Sequence, residues 1–292
     1  MCNDYRFFNL VIMPDTPIQV SGHAGSLSMH AGGAWILKQC SAVEAHFYQS
    51  VWQEDTEGAD ALRPLMPVCY GIADDRGQWL PGWSCPLQLE PSSMYHVLLE
   101  NLTAGFERPC VSDWKIGTQL YDERDPYLTE EKRTRMQRKA AETTSGSFGL
   151  RVTGWQTWNK AQQTYIRANK APGRAANTVA DLDSLWQHVL DGGDERCNAL
   201  RRRMSRYTLQ QLEHIQQVMS SLEVRVRGAS VLVIYEGDDE TAAAKLSGSG
   251  GPPVSLRLID YAHARWCHGE GPDPGAALGL TTLIGVVRRA CD

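Results

Sequence analysis

Stretches of period-two or continuous apolar residues alternate along this chain with stretches of helical period, and together they predict an α+β fold. Ser26–His30 and Ala34–Lys38, joined through Ala31-Gly-Gly33, read as a β-hairpin with a glycine turn. Ser41–Trp52 follows as a helix, with Ser41 as N-cap and Glu44 three residues on as a capping box. Met94–Glu100 reads as a buried strand leading into a linker, and Pro109–Gly117 as a short extended segment leaving a turn. Thr129 caps a helix through Lys139, and Thr143–Gly154 reads as a strand with glycine breaks, hairpin partner of the next run. Leu182, Leu185, Trp186 and Val189 recur at helix spacing and stop at Gly192-Gly193. Thr208-Leu-Gln-Gln211 predicts a second capping box, ahead of Leu209, Leu212, Ile215, Met219 and Leu222 on one face. Arg227–Gly237 is a continuous apolar strand, buried on both faces, and Leu256–Asp260 is a shorter alternating one. The residues 238–253, acidic, then Ala-rich, then Ser-Gly-Ser-Gly-Gly-Pro-Pro, predict a mobile insertion. Ala276–Arg289 closes the chain as a helix.

Composition narrows the class without naming a chemistry. At 292 residues, 42% hydrophobic and 22% charged, the chain can bury a core for one large domain or two lobes. A net charge of −5 argues against a generally nucleic-acid-binding or membrane-adhering surface. The eight cysteines show no paired metal spacing and read as reduced thiols. No basic segment followed by a long apolar run opens the chain, so neither a signal peptide nor a membrane span is expected, and the expected compartment is cytosol or nucleus.

Candidate chemistry concentrates in a few places. Asp113 and Lys115 alternate onto one face of their segment, with Trp114 on the other. An acid beside a cation is what phosphoryl transfer asks for: one orients or deprotonates a hydroxyl, the other neutralises the moving phosphate. Lys38 and Glu44 suit a strand lysine positioned by a helix glutamate, with capping as the plainer job for Glu44. Five of the eight residues from Lys132 to Lys139 are basic, and Lys132, Arg135 and Lys139 share one helix side, which suits a polyanion or a merely solvated face. Gln19–Ser26, with two glycines, suits an anion or a plain loop. Arg201-Arg202-Arg203 and Arg206 form another basic cluster, which suits an exposed helix face or a second anion contact.

The nonapeptide Pro109-Cys-Val-Ser-Asp-Trp-Lys-Ile-Gly117 resembles the P-x-x-x-D-x-K-x-G signature of the inositol polyphosphate kinase family. Other stretches resemble the family in order: Leu37-Lys38-Gln39 with Glu44-Ala-His-Phe-Tyr48, Glu100-Asn-Leu-Thr103, Glu131-Lys132, Thr143–Gly154, Ser230–Gly237 and Ile259-Asp-Tyr-Ala-His263. Ala229 and Val231 depart from the family pattern by replacing a serine and a leucine, and Tyr261 replaces a phenylalanine. The resemblance implies a two-lobed, protein-kinase-like ATP-grasp architecture with an antiparallel sheet and flanking helices in each lobe. Residues 1–102 would form the ATP-binding N-lobe and 103–292 a C-lobe for inositol phosphate and metal. It implies ATP contacts at Lys38, Glu44, Glu100, Leu102, Asp113 and Asp260, with magnesium on Asp260. Substrate phosphates would meet Lys115, Lys132, Arg135, Lys139 and His263, and catalysis would fall to Asp113 and Lys115. The compact length and fungal-like motifs lean towards a multikinase over a trisphosphate 3-kinase or a hexakisphosphate kinase. Transcription-related protein partners, with the chain acting mainly as a scaffold, form the alternative of another class. A protein kinase is disfavoured by the lack of H-R-D-x-x-x-x-N, and a nucleic-acid binder by the charge.

Overall fold

Two antiparallel sheets face one another across a cleft, and a linker at residues 101–108 joins them. A computed structural model describes residues 18–20, 26–30, 33–81, 89–90, 92–125, 127–192 and 198–291. The glycine stretch at 21–25, the turn at 31–32 and the helix stop at Gly193 lie outside them.

The first sheet takes the hairpin strands β1 (Leu27–His30) and β2 (Trp35–Ser41), which pair antiparallel as the alternation predicts. The helices α1 (Ala42–Gln53) and α2 (Glu57–Leu62) precede β3 (Cys69–Ala73) and β4 (Met94–Glu100), giving the order β1-β2-β4-β3. In β4 only Tyr95, Val97 and Leu99 are fully buried, so one face rather than both is covered.

The second sheet is built around β5 (Pro109–Ile116). Then come α3 (Glu130–Ala141), the short α4 (Thr144–Phe148), β6 (Leu150–Asn159), β7 (Thr164–Ala168), α5 (Ala171–Ala175) and α6 (Val179–Leu190). The predicted strand at 143–154 therefore begins with a helical turn, ended by Gly149 in the left-handed region at φ 63°. A long helix α7 (Asn198–Ser221) leads to β8 (Val224–Val226) and β9 (Ser230–Glu236). Finally α8 (Asp239–Leu246), β10 (Val254–Ile259), β11 (Ala264–Trp266) and α9 (Pro274–Arg289) complete an order β10-β9-β5-β6-β7 with a separate β8–β11 ribbon. Every pairing is antiparallel, and Trp114 of β5 packs on Trp186 of α6 at 5.6 Å between ring centres.

Helix α9 comes unusually close to the sheet because Gly279 has no side chain. A Cβ there would stand 2.2 Å from the Gly149 carbonyl oxygen. Asp273 caps α9 by accepting from the Gly275 and Ala276 amides, with Pro274 at the first helical position.

Two sequence expectations need correction. Thr208 does not start a helix: it lies inside α7, where its hydroxyl donates back to the Met204 carbonyl at 3.0 Å. The 238–253 segment is not a featureless mobile insertion, because Asp238 caps α8 by accepting from the Thr241 amide at 2.9 Å, and Ala242, Lys245 and Leu246 are buried. Composition averaged over the whole segment hides this, since only its Ser-Gly-Pro half resists packing. Lys245 Nζ donates to Glu236 Oε2 and to the Gly105 carbonyl, each at 2.8 Å, and sits 4.3 Å from the Phe106 ring centre. Glu236 in turn accepts from the Glu107 and Arg108 amides at 2.9 and 2.8 Å, so α8 pins the linker between the sheets. Lys245→Met should destabilise the protein by about 3–5 kcal/mol, because it strands the buried Glu236 carboxylate. In urea unfolding the double change Glu236→Gln/Lys245→Met should lose less, and equal losses would dissolve the pairing argument.

Candidate active site

Lys38 stands where the two halves meet. Its ammonium donates to Glu44 Oε1 at 2.6 Å and to Asp260 Oδ1 at 2.7 Å, tying β2 to α1 and to the residue after β10. Ser41 caps α1 weakly, accepting from the Glu44 amide at 3.4 Å. The carboxylate of Glu44 does not turn back to complete a capping box. It is 3% exposed and serves Lys38 and the Tyr261 amide, the latter at 3.2 Å. Burial alone would lower the Lys38 pKa, but the Glu44 and Asp260 carboxylates outweigh it and hold the amine protonated far above its ordinary range.

Asp260 takes φ 67°, a left-handed conformation that Asp tolerates better than most residues. Such backbone outliers cluster at functional sites. Burial would raise its pKa, yet Lys38 and then Lys115 lower it, so the carboxyl stays ionised at neutral pH. Among the described residues no three His, Cys, Asp or Glu side chains gather as a metal cage. One ionised carboxylate facing an open cleft suits a hard divalent ion that shares its coordination with phosphates and water.

The floor of the cleft is β5. Asp113, 1% exposed, and Lys115 both line it, as the alternation predicts. A bulge against β6 sets Asp113 opposite Gly154 and Trp114 opposite Val152. A Cβ on Gly154 would lie 2.0 Å from the Val20 carbonyl oxygen, so glycine lets the incoming chain cross beside Asp113. Lys115 Nζ donates to the Gly228 carbonyl, which fixes the ammonium at the cleft edge. The cleft measures about 470 Å³, and Glu100 and Leu102 also line it.

The basic helix divides. Lys139 lines the cleft; Lys132 pairs with Asp125 at 3.4 Å and depresses the pKa of the cleft residue His263, to which burial contributes most. Arg135 is exposed and outside the cleft lining. At 3.6 residues per turn it lies about 60° round the helix from Lys132, on the side away from Met136, which takes the inward place. Arg151, in a stretch whose sequence reads as structural, is buried and pairs across the strands with Lys115. Only the register of β5 on β6 reveals it.

Comparison with known proteins extends this geometry. A family model described as "Inositol polyphosphate kinase" matches residues 96–288. The chain is 33% identical over 205 residues to inositol hexakisphosphate kinase 3 of Mus musculus, covering 66% of this chain and 50% of that protein. It thus spans about half the length of the hexakisphosphate kinases it matches. With the inositol polyphosphate multikinase of Schizosaccharomyces pombe it shares 27% identity over 280 residues, covering 92% of this chain and 94% of the relative. The crystal structure of the Saccharomyces cerevisiae inositol phosphate multikinase with ADP and Mn2+ superposes with a TM-score of 0.71 at 27% identity, covering 89% of this chain and all of that one.

Proposed function

Since this chain belongs to the inositol polyphosphate kinase family, we propose that it transfers the γ-phosphoryl group of ATP to a hydroxyl of an inositol polyphosphate, as a multikinase. The observation that carries this reading is the convergence of Lys38, Glu44, Asp260, Asp113 and Lys115 in one cleft between the two sheets. The multikinase relatives align over 92% of this chain, against 66% for the hexakisphosphate kinase 3 relatives, which supports that class. Residues 1–102 then serve as the nucleotide-binding lobe and 103–292 as the substrate lobe.

Lys38, positioned by Glu44, grips the nucleotide phosphates, and the backbone from Glu100 to Leu102 receives the adenine. Asp260 holds the divalent ion, for which magnesium is the natural candidate; the S. cerevisiae relative carries Mn2+ with ADP. When bound, that ion offsets charge on the nucleotide phosphates. The acceptor hydroxyl oxygen forms a bond to the γ-phosphorus as the bond from that phosphorus to the ADP oxygen breaks. Asp113 takes the hydroxyl proton, and Lys115 neutralises the transferring group. Lys139 and His263 meet the substrate phosphates from the cleft wall, with Lys132 beside them and Arg135 outside.

Burial and the neighbouring cations Arg151, Lys115, Arg174 and Lys170 push the Lys139 amine down to about 8. Its charge is present below that pH and lost above it. The KM for the inositol phosphate should therefore rise between about pH 7 and pH 9, by at most about tenfold per unit for one group. Lys139→Arg, which keeps its charge, should flatten the rise; an unaltered profile would remove Lys139 from the substrate. The class of reaction is tested by incubating the protein with magnesium, ATP and inositol tris-, tetrakis-, pentakis- or hexakisphosphate in turn and separating products by charge and isomer. Products with one more phosphate from the tris- and tetrakisphosphates are expected. Conversion of hexakisphosphate alone would move the chain to the other class.

A further inference from the structure

A second group of cations gathers on the edge of the cleft beyond Lys139; the Asp113 carboxylate faces Arg151, and among the described residues no member of the group is held in a salt bridge. Lys115 and Arg151 face each other across β5 and β6. The Arg151 guanidinium donates to the Thr143 hydroxyl at 3.2 Å, and that hydroxyl donates to the Lys139 carbonyl at 2.9 Å. Arg151 is thereby tied to the last turn of α3, where Lys139 sits. Helix α5 seats on the same strand, one residue along. A Cβ on Gly173 would stand 1.9 Å from the Val152 carbonyl oxygen, a contact that fixes the flanking Lys170 and Arg174 near Arg151. Among the described residues Lys139, Arg151, Lys170 and Arg174 form no ion pair, whereas Lys132, Arg227 and Arg265 each hold at least one. The mutual field is felt inside the cluster: burial and Arg174 lower the Arg151 pKa against the opposing Asp113 carboxylate, and burial with Arg151, Lys115, Arg174 and Lys170 lowers that of Lys139. Cations that outnumber the acids around them cost stability through repulsion, and a ligand with several negative charges relieves it.

We propose that Lys170 and Arg174 form an outer phosphate subsite, continuous through Arg151 with Lys139, that holds a ring phosphate the inositol trisphosphate lacks. The inference rests on reading the cleft as an inositol phosphate site. A ring bearing few phosphates leaves α5 unused once Lys115 and Lys139 are met. A ring phosphorylated all round presents a phosphate on that side too. The subsite accordingly favours the more highly phosphorylated inositols.

Titration calorimetry without nucleotide tests this, using inositol trisphosphate and inositol hexakisphosphate as probes on the full chain and on Lys170→Gln/Arg174→Gln. Both residues are exposed, so the fold should survive, and thermal melting checks it. Two exposed charge-assisted contacts predict a fall of roughly 30-fold in hexakisphosphate affinity and under about threefold for the trisphosphate. The charge-reversed Lys170→Glu/Arg174→Glu should deepen the first loss and widen the gap. Equal losses for both probes, or no loss for either, would overturn the subsite while leaving the cleft assignment standing. Failure of the unmodified protein to bind either probe would overturn both.

Discussion

Asp113→Asn will bind ATP and inositol phosphate nearly normally and turn over about 10²–10⁴-fold more slowly, the usual loss when a general base is removed. The substitution keeps the shape of a side chain that is 1% exposed, so packing around β5 persists. What it removes is the proton acceptor, together with the negative charge that faces Arg151. Excess magnesium should not restore the rate, because the ion's ligand is intact. Initial rates over a magnesium titration, with melting curves for both proteins, check this. Recovery by magnesium would place Asp113 on the ion instead of the hydroxyl.

Asp260→Asn will fail differently. Asn adopts the left-handed conformation at φ 67° as readily as Asp, so the turn after β10 should hold. Lys38 keeps Glu44 at 2.6 Å and stays charged. The loss is a carboxylate whose ionisation Lys38 and Lys115 secure. An ion-held contact supplies several kcal/mol of charge stabilisation, so turnover at limiting magnesium should drop by roughly 10²–10³-fold, and the apparent metal requirement should rise. Part of the activity should return at high magnesium. The two aspartates thus separate by response to metal, and a reversed pattern would exchange their roles.

Much of this arrangement is legible in the sequence because it is local. Alternation sets Asp113 and Lys115 on one face; a strand followed at once by a capped helix puts Lys38 near Glu44. What is not legible depends on long-range register or on competition between local signals. Arg151 becomes a site residue only once β6 is laid against β5, with its bulge at Asp113. Thr208 reads as a cap because Thr-x-x-Gln is satisfied equally well inside a helix when the hydroxyl bonds back to Met204. Glu44 carries the capping-box spacing, yet its carboxylate is drawn to Lys38, where a charged partner is worth more than a backbone amide. Lys245 lies in a segment whose composition reads as a mobile insertion; its burial follows from Glu236 and the Gly105 carbonyl, partners that only the tertiary fold supplies.

The central claim is that one cleft joins ATP to an inositol polyphosphate with Asp113 as the base. A single-turnover experiment with γ-labelled ATP, magnesium and inositol tetrakisphosphate, run beside Asp113→Asn, tests it most directly. Label should enter the inositol ring stoichiometrically with the unmodified protein, and at least about a hundredfold more slowly with the variant at equal substrate occupancy. Label released only as inorganic phosphate, or transferred equally fast by both proteins, would contradict it.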